Sequence, residues 1–157
     1  MTTALQTDRV ALAHRLRPVL LKLSRHLRRE VHPLGVTGGQ VTLLIQIKKQ
    51  PGIGVRELAR LEAVSAAAMS KALDRLEGAG LVTRAPGTDR RRVGLAVTQD
   101  GERVLRAVRS RRTAWLAARL KELPAEDVDA IDDARELVEE TAPALVVEED
   151  LLAVRTA

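Results

Sequence analysis

The sequence contains no cysteine. Disulfides, thiolate metal sites and thiol-based redox sensing are therefore excluded. Phe and Tyr are also absent, and Trp115 is the single tryptophan. A core must then be assembled from Leu, Val, Ile and Ala, a palette that favours helix over strand. The three histidines are His14, His26 and His32, with no HExxH and no carboxylate at ligand spacing. They are expected on a surface or an interface, with no metal and no cofactor. No apolar run approaches the 18 or more residues of a membrane span. The N-terminus has no signal-peptide apolar segment. No membrane partner is expected, and a cytoplasmic location follows. Gly52-Ile53-Gly54 opens like a dinucleotide fingerprint but lacks the third glycine and a preceding strand. No nucleophile, base and orienting group recur together, so the sequence gives no support to an enzyme.

What is present is a chain of 157 residues, 45% hydrophobic, enough for one domain with its own core. Its net charge of +5 is unevenly spread. Residues 1–123 carry 24 Lys and Arg against 10 Asp and Glu, a balance of +14. Residues 124–157 carry 2 against 11, a balance of −9. A strongly basic body suits a polyanionic partner.

From Asp8 to about Val31 the apolar positions Leu12, Leu16, Val19, Leu20, Leu23, Leu27 and Val31 form a heptad-like stripe. Residues 1–7 are expected to fray. The stripe keeps phase across Pro18, which predicts one bent helix. Thr37-Gly38-Gly39-Gln40 has the spacing of a capping box before a helix reaching about Lys49. Pro51 and Gly52 end it. Val55 to Leu61 reads as a short helix, and Glu62-Ala63-Val64 as a turn. Ser65 is placed to cap a helix running to about Ala79. Ala68, Met69, Ala72, Leu73, Leu76 and Ala79 are assigned to its apolar face, and Ser70, Lys71, Asp74 and Arg75 to its polar one. That helix spans about 22 Å, and its girth suits the major groove of DNA, about 12 Å wide.

Leu81 to Arg84 and Val93 to Val97 read as two short strands joined by a loop rich in arginine. Thr98 can cap a long helix to about Glu122, apolar at Val104, Leu105, Val108, Trp115, Leu116 and Leu120. Arg103, Arg106, Arg109, Arg111, Arg112 and Arg119 are assigned to its outer face. Pro124 suits the first turn of a last, acidic helix to about Thr141, whose Glu126 and Asp127 complement its positive end.

The segment TDRRRVGLAVTQDG, residues 88–101, resembles the wing signature of the MarR family of bacterial transcription regulators. The family pattern is D-x-R, three residues, then L-x-[LV]-T-x-x-G. Asp89, Arg91, Leu95, Val97, Thr98 and Gly101 fall on it. VRELARLEAVSAAAMSKALDRLEGAGLVTR, upstream, is similar to the family's helix-turn-helix. The likeness covers nearly the whole chain. It implies a mainly α fold with a small β-hairpin wing: a winged helix-turn-helix with long N- and C-terminal dimerisation helices. The expected division is one MarR-like domain over 1–157, with dimerisation helices at 8–34 and 99–143 and a DNA-binding lobe at 35–98.

The resemblance further implies a homodimer on double-stranded DNA, reading a pseudo-palindromic operator as a repressor, with a small aromatic or anionic effector. The residues expected to meet DNA are Ser65, Ala66, Ala67, Ser70, Lys71, Arg75, Arg84, Asp89, Arg90, Arg91 and Arg92. Lys71 is the best placed for a base edge or phosphate, with Asp74 orienting an arginine. Asp89 can pin one guanidinium by a two-pronged bond, and Arg91 can enter a narrow minor groove. The chain departs from relatives at Ala66-Ala67-Ala68, where polar residues are common, at Pro18, and in lacking a sensing cysteine. An alanine can still meet a thymine methyl. The competing reading is a winged-helix module for DNA binding or assembly without small-molecule sensing.

Overall fold

The computed structural model describes residues 2–86 and 93–141. Six helices and one hairpin follow in the order α1 (Thr2–Arg29), α2 (Gly38–Lys49), α3 (Val55–Leu61), α4 (Ala66–Gly78), β1 (Val82–Pro86), β2 (Val93–Val97), α5 (Gln99–Leu120) and α6 (Ala125–Thr141). A 3-10 turn, His32–Leu34, links α1 to α2. α1 passes through Pro18 as a single helix. It also begins at Thr2, not at Asp8, because Thr2 to Thr7 contain no glycine or proline to stop it.

Side-chain caps set the starts of α2, α4 and α5. The Thr37 hydroxyl accepts from the Gln40 N–H at 3.3 Å, while Gln40 Oε1 accepts from the Thr37 N–H at 2.8 Å. This reciprocal box satisfies two donors of α2. Ser65 Oγ accepts from the Ala68 N–H at 3.1 Å. Thr98 Oγ1 accepts from the Gly101 N–H at 3.1 Å and donates to the Gly80 carbonyl at 2.6 Å. The turn between α3 and α4 brings Ala63 to φ +52°. The end of α4 is closed by Gly80 at φ +71°. There the Leu81 N–H donates to the Leu76 carbonyl and the Gly80 N–H to the Glu77 carbonyl, both at 2.9 Å. These paired bonds satisfy carbonyls the helix would otherwise orphan.

The hairpin is antiparallel, with Val82 opposite Val97 and Pro86 opposite Val93. β1 therefore starts one residue later than Leu81 and runs past Arg84 to Pro86, whose missing N–H marks the end of a two-stranded edge. Ile53 adds an isolated antiparallel bridge to Leu95. The Gly52 N–H donates to the Leu95 carbonyl at 2.8 Å, and the Leu95 N–H to the Ile53 carbonyl at 3.0 Å. The hairpin's root is thus bound to the loop after α2.

The core lies within the lobe and the adjoining ends of α1 and α5. Val31, Val41, Leu44, Ile47, Leu58, Leu73, Leu76 and Leu95 are fully enclosed. Each such side chain contributes roughly 1.5–3 kcal/mol by leaving water. Three assignments from residue pattern change here. Ala68 and Ala79 are exposed, so the buried face of α4 is Met69, Leu73 and Leu76, with Ala72 half-buried. Arg112 is buried, not on the outer face of α5. Leu116 is exposed, and Trp115 is half-buried.

The arms are the reverse of the lobe. Leu12, Leu16, Val19 and Leu20 of α1 stand 46–61% exposed, and Leu123 and Ile131, near and on α6, are 41% and 48% exposed. No helix among the described residues is long and apolar enough to cross a membrane.

Candidate nucleic-acid interface

Burial of Met69, Leu73 and Leu76 fixes which face of α4 turns outward. Ser65, Ala66, Ala67, Ala68, Ser70, Lys71, Asp74 and Arg75 all lie on exposed positions. The outward face thus begins with a run of methyl groups and ends in cations. Ser65 Oγ is already committed as an acceptor to the cap, which leaves its hydroxyl proton to donate outward. Among the described residues neither Lys71 nor Arg75 has an ion pair, and Asp74 orients neither. Arg56 and Arg60 add two exposed cations on α3, the helix packed against α4.

Arg84 has a different setting. Its Nη2 donates to Glu77 Oε2 at 3.2 Å, and its Nε faces Glu77 Oε1 at 2.7 Å as a charge contact outside hydrogen-bond geometry. The pair joins β1 to the last turn of α4. It fixes the hairpin against the helix and draws charge away from Arg84. Asp89, Arg90, Arg91 and Arg92 lie outside the described residues.

Two glycines locate the hairpin: Gly94, which the wing signature does not mark, and Gly101, the last position of that signature. A Cβ on Gly94 would fall inside the backbone of Gly52, and one on Gly101 would strike the Leu81 carbonyl and the Val97 side chain. A glycine inside a strand pattern is the only sequence signal for the first, since it marks close backbone approach.

A second feature lies at the junction of α1 and α5. His26 stacks on Trp115 with centroids 5.6 Å apart and planes at 16°. Arg119 Cζ sits 4.1 Å from the Trp115 ring centroid, within cation–π range. Val19, Lys22, Leu23, His26, Trp115 and Arg119 line an open cleft of about 400 Å³. Among the described residues no cluster of three or more His, Asp or Glu could hold a metal. Arg112 lies close by in sequence but is enclosed. Its guanidinium is held below the usual arginine range by burial and then by the like charge of Arg28.

Comparison with known proteins agrees with this geometry. The MarR family model matches residues 36–93, the segment from the start of α2 to the start of β2. A helix-turn-helix-type transcriptional regulator from Mycobacterium bovis is 30% identical over 81% of this chain and 90% of its own. The helix-turn-helix-type transcriptional repressor MdtR of Bacillus subtilis is 30% identical over 72% and 74%. The crystal structure of the Thermotoga maritima transcriptional regulator Tm0710 shares the fold, with a TM-score of 0.74 at 24% identity over 88% of this chain and 99% of that one. An exposed, cation-bearing helix behind a capped turn, a hairpin bound to its end and these relatives converge: the chain belongs to the MarR family of DNA-binding transcriptional regulators.

Proposed function

We propose that the protein is a cytoplasmic, ligand-responsive repressor that binds a pseudo-palindromic operator as a homodimer. The exposed face of α4 carries this reading, because a helix that buries Met69, Leu73 and Leu76 must offer Ser70, Lys71 and Arg75 outward. Ser65, Ala66 and Ala67 begin the same face, and Asp89, Arg90, Arg91 and Arg92 supply the wing. Arg84 acts by fixing the wing to α4 and touches phosphate with whatever charge Glu77 leaves uncompensated. Residues 35–98 form the DNA-binding lobe; residues 8–34 and 99–143 form the dimer. The unpartnered apolar stripe of α1 supports a second copy, since a row of exposed leucines is otherwise a liability in water. Two lobes related by a two-fold axis would read half-sites about 34 Å apart.

The effector is a planar aromatic anion. The cleft between α1 and α5 supports this class, with Lys22 and Arg119 for charge and Trp115 for a ring. Its volume falls in the range usual for small-molecule sites. A ligand can shift the lobes only by its differential affinity for two arrangements of the dimer. The test is fluorescence anisotropy of the full chain on duplexes from the DNA flanking its gene. One palindromic segment should bind at least about a thousandfold tighter than the rest. Lys71→Ala should reduce that preference, and an aromatic carboxylate should release the DNA. Equal affinity for every duplex, or a monomer at micromolar concentration, would overturn the reading. Tight operator binding with no response to a broad carboxylate panel would favour a module without sensing.

A further inference from the structure

Arg112 and Ser24 are the two polar side chains buried among the described residues. Arg112 has no carboxylate partner there. A buried guanidinium without compensation is costly, so its charge must be met in another way. The answer lies in the end of α1. That helix stops at Arg29, which leaves its last carbonyls without intrahelical donors. Arg112 Nε donates to the Leu27 carbonyl at 3.3 Å. Its neighbour Arg111 donates from Nε to the Glu30 carbonyl at 2.9 Å, with Nη2 3.5 Å from the Glu30 carboxylate. Two consecutive arginines of α5 thus cap the C-terminal turn of α1 from more than eighty residues away. The partial negative charge of that helix end takes the place of a counter-ion.

The position of this clasp gives it a second consequence. α1 runs into the lobe through the 3-10 turn, and α5 leaves the lobe from the Thr98 cap. Near the clasp Leu27 of α1 is buried, and Val31 and Val108 belong to one apolar core. Such packing is non-directional and tolerates sliding. Hydrogen bonds to named carbonyls do not. A slip of one helical turn along α1 would move α5 by about 5.4 Å, more than one base-pair step. We propose that Arg111 and Arg112 are positioning residues that pin the register of α5 on α1, and so set the separation of the two recognition helices in the dimer. The inference rests on the homodimeric operator reading and assigns that spacing to two residues far from the DNA.

The absence of cysteine allows a direct test. Ala79→Cys in the full chain, at an exposed position at the end of α4 outside the proposed DNA face, accepts one spin label per recognition helix, and double electron–electron resonance reads the distance between them. The parent should give one narrow distribution. Arg112→Met, which keeps bulk but removes the fork, should broaden it or add a second distance. Arg111→Gln should do so to a lesser degree, and it keeps the test alive if Arg112→Met does not fold. On operators whose half-sites are moved apart or together by one or two base pairs, the parent should show a sharp optimum. The variants should lose on the order of tenfold of that discrimination, while affinity for an isolated half-site stays the same. An unchanged distance distribution in both variants would overturn the proposal. So would an equal loss on all spacings and on the half-site, which marks a merely structural role. A parent with no dipolar signal would instead show a monomer, and the dimer reading would fail first.

Discussion

Replacing Gly94 by alanine adds one methyl group, and the structure says where it must go. A Cβ at Gly94 would lie 2.5 Å from the Gly52 Cα and closer still to the Gly52 carbonyl. Carbon atoms rest at about 3.5–4.0 Å, so the two backbones must part by about 1 Å. That opening strikes the Gly52 N–H bond to the Leu95 carbonyl and the Leu95 N–H bond to the Ile53 carbonyl, now 2.8 and 3.0 Å. Each is worth about 0.5–1.5 kcal/mol net. Overpacking itself costs about 1–3 kcal/mol. Leu95 and Ile53 are both fully enclosed, so neither can relax into solvent. The expected loss is roughly 2–6 kcal/mol.

Urea unfolding at a fixed protomer concentration measures it, followed by circular dichroism and by the fluorescence of the single Trp115. With a slope of about 2 kcal/mol per molar urea, the midpoint should fall by roughly 1–3 M. The same substitution at Gly78 supplies the control. Gly78 is exposed in the last turn of α4, and a Cβ there meets nothing within 4 Å. Gly78→Ala should therefore raise stability by about 0.5–1 kcal/mol through lost freedom of the unfolded chain. One methyl group gives two signs, decided by a neighbour 42 positions away in sequence. A Gly94→Ala protein within about 0.5 kcal/mol of the parent, the scatter expected of an ordinary surface change, would refute the close approach.

Thr98→Ala removes both the cap of α5 and the bond to the Gly80 carbonyl, and thermal or urea unfolding should show a loss of about 1–2 kcal/mol. Leu16→Glu with Leu20→Glu places charge in the exposed stripe of α1; sedimentation should shift from dimer to monomer while helix content stays. DNA affinity should fall steeply as salt rises, and Lys71→Ala should lower the slope of log K against log salt by about 1 if that lysine meets phosphate. Arg91→Ala should cost on the order of 1–3 kcal/mol of operator binding, with the larger loss on A·T-rich flanks, whose narrow minor grooves attract arginine.

Local chemistry made the lobe legible. Thr37, Ser65 and Thr98 each cap the helix that follows, because a hydroxyl before a helix has one nearby use. Gly80 closes α4 for an equally local reason. Arg112 was not legible, although its phase was. It stands four residues after Val108, one turn along the same buried face, so its position points inward while its charge points outward. Ala68 and Ala79 erred in the other direction. Alanine fits a buried or an exposed helical site equally, so a stripe counted with alanines in it is wider than the true one. The Gly94–Gly52 approach and the Arg84–Glu77 pair depend on how separate elements meet. Periodicity within one element carries no trace of them. For the proposed DNA-contacting face, α4 is therefore readable in outline, whereas the restraint on Arg84 is not.

The division between a finished lobe and unfinished arms follows from where the buried side chains stop. Toward the N-terminus of α1 the enclosed leucines end at Leu27, and on α5 enclosure ends at Arg112. Beyond that point α1 turns Val19, Leu16 and Leu12 to solvent, and α6 exposes Ile131. The lobe can therefore close its own apolar surface, and the arms cannot. The last enclosed residue on α5 is a cation held by the end of the helix it crosses. Apolar residues could seal that boundary at lower desolvation cost, since buried charges seldom repay their burial in stability. What a guanidinium adds there is direction, because its N–H groups must meet particular carbonyls. On the proposed reading, in which two lobes match a fixed spacing on DNA, that direction is needed at the joint between arm and lobe.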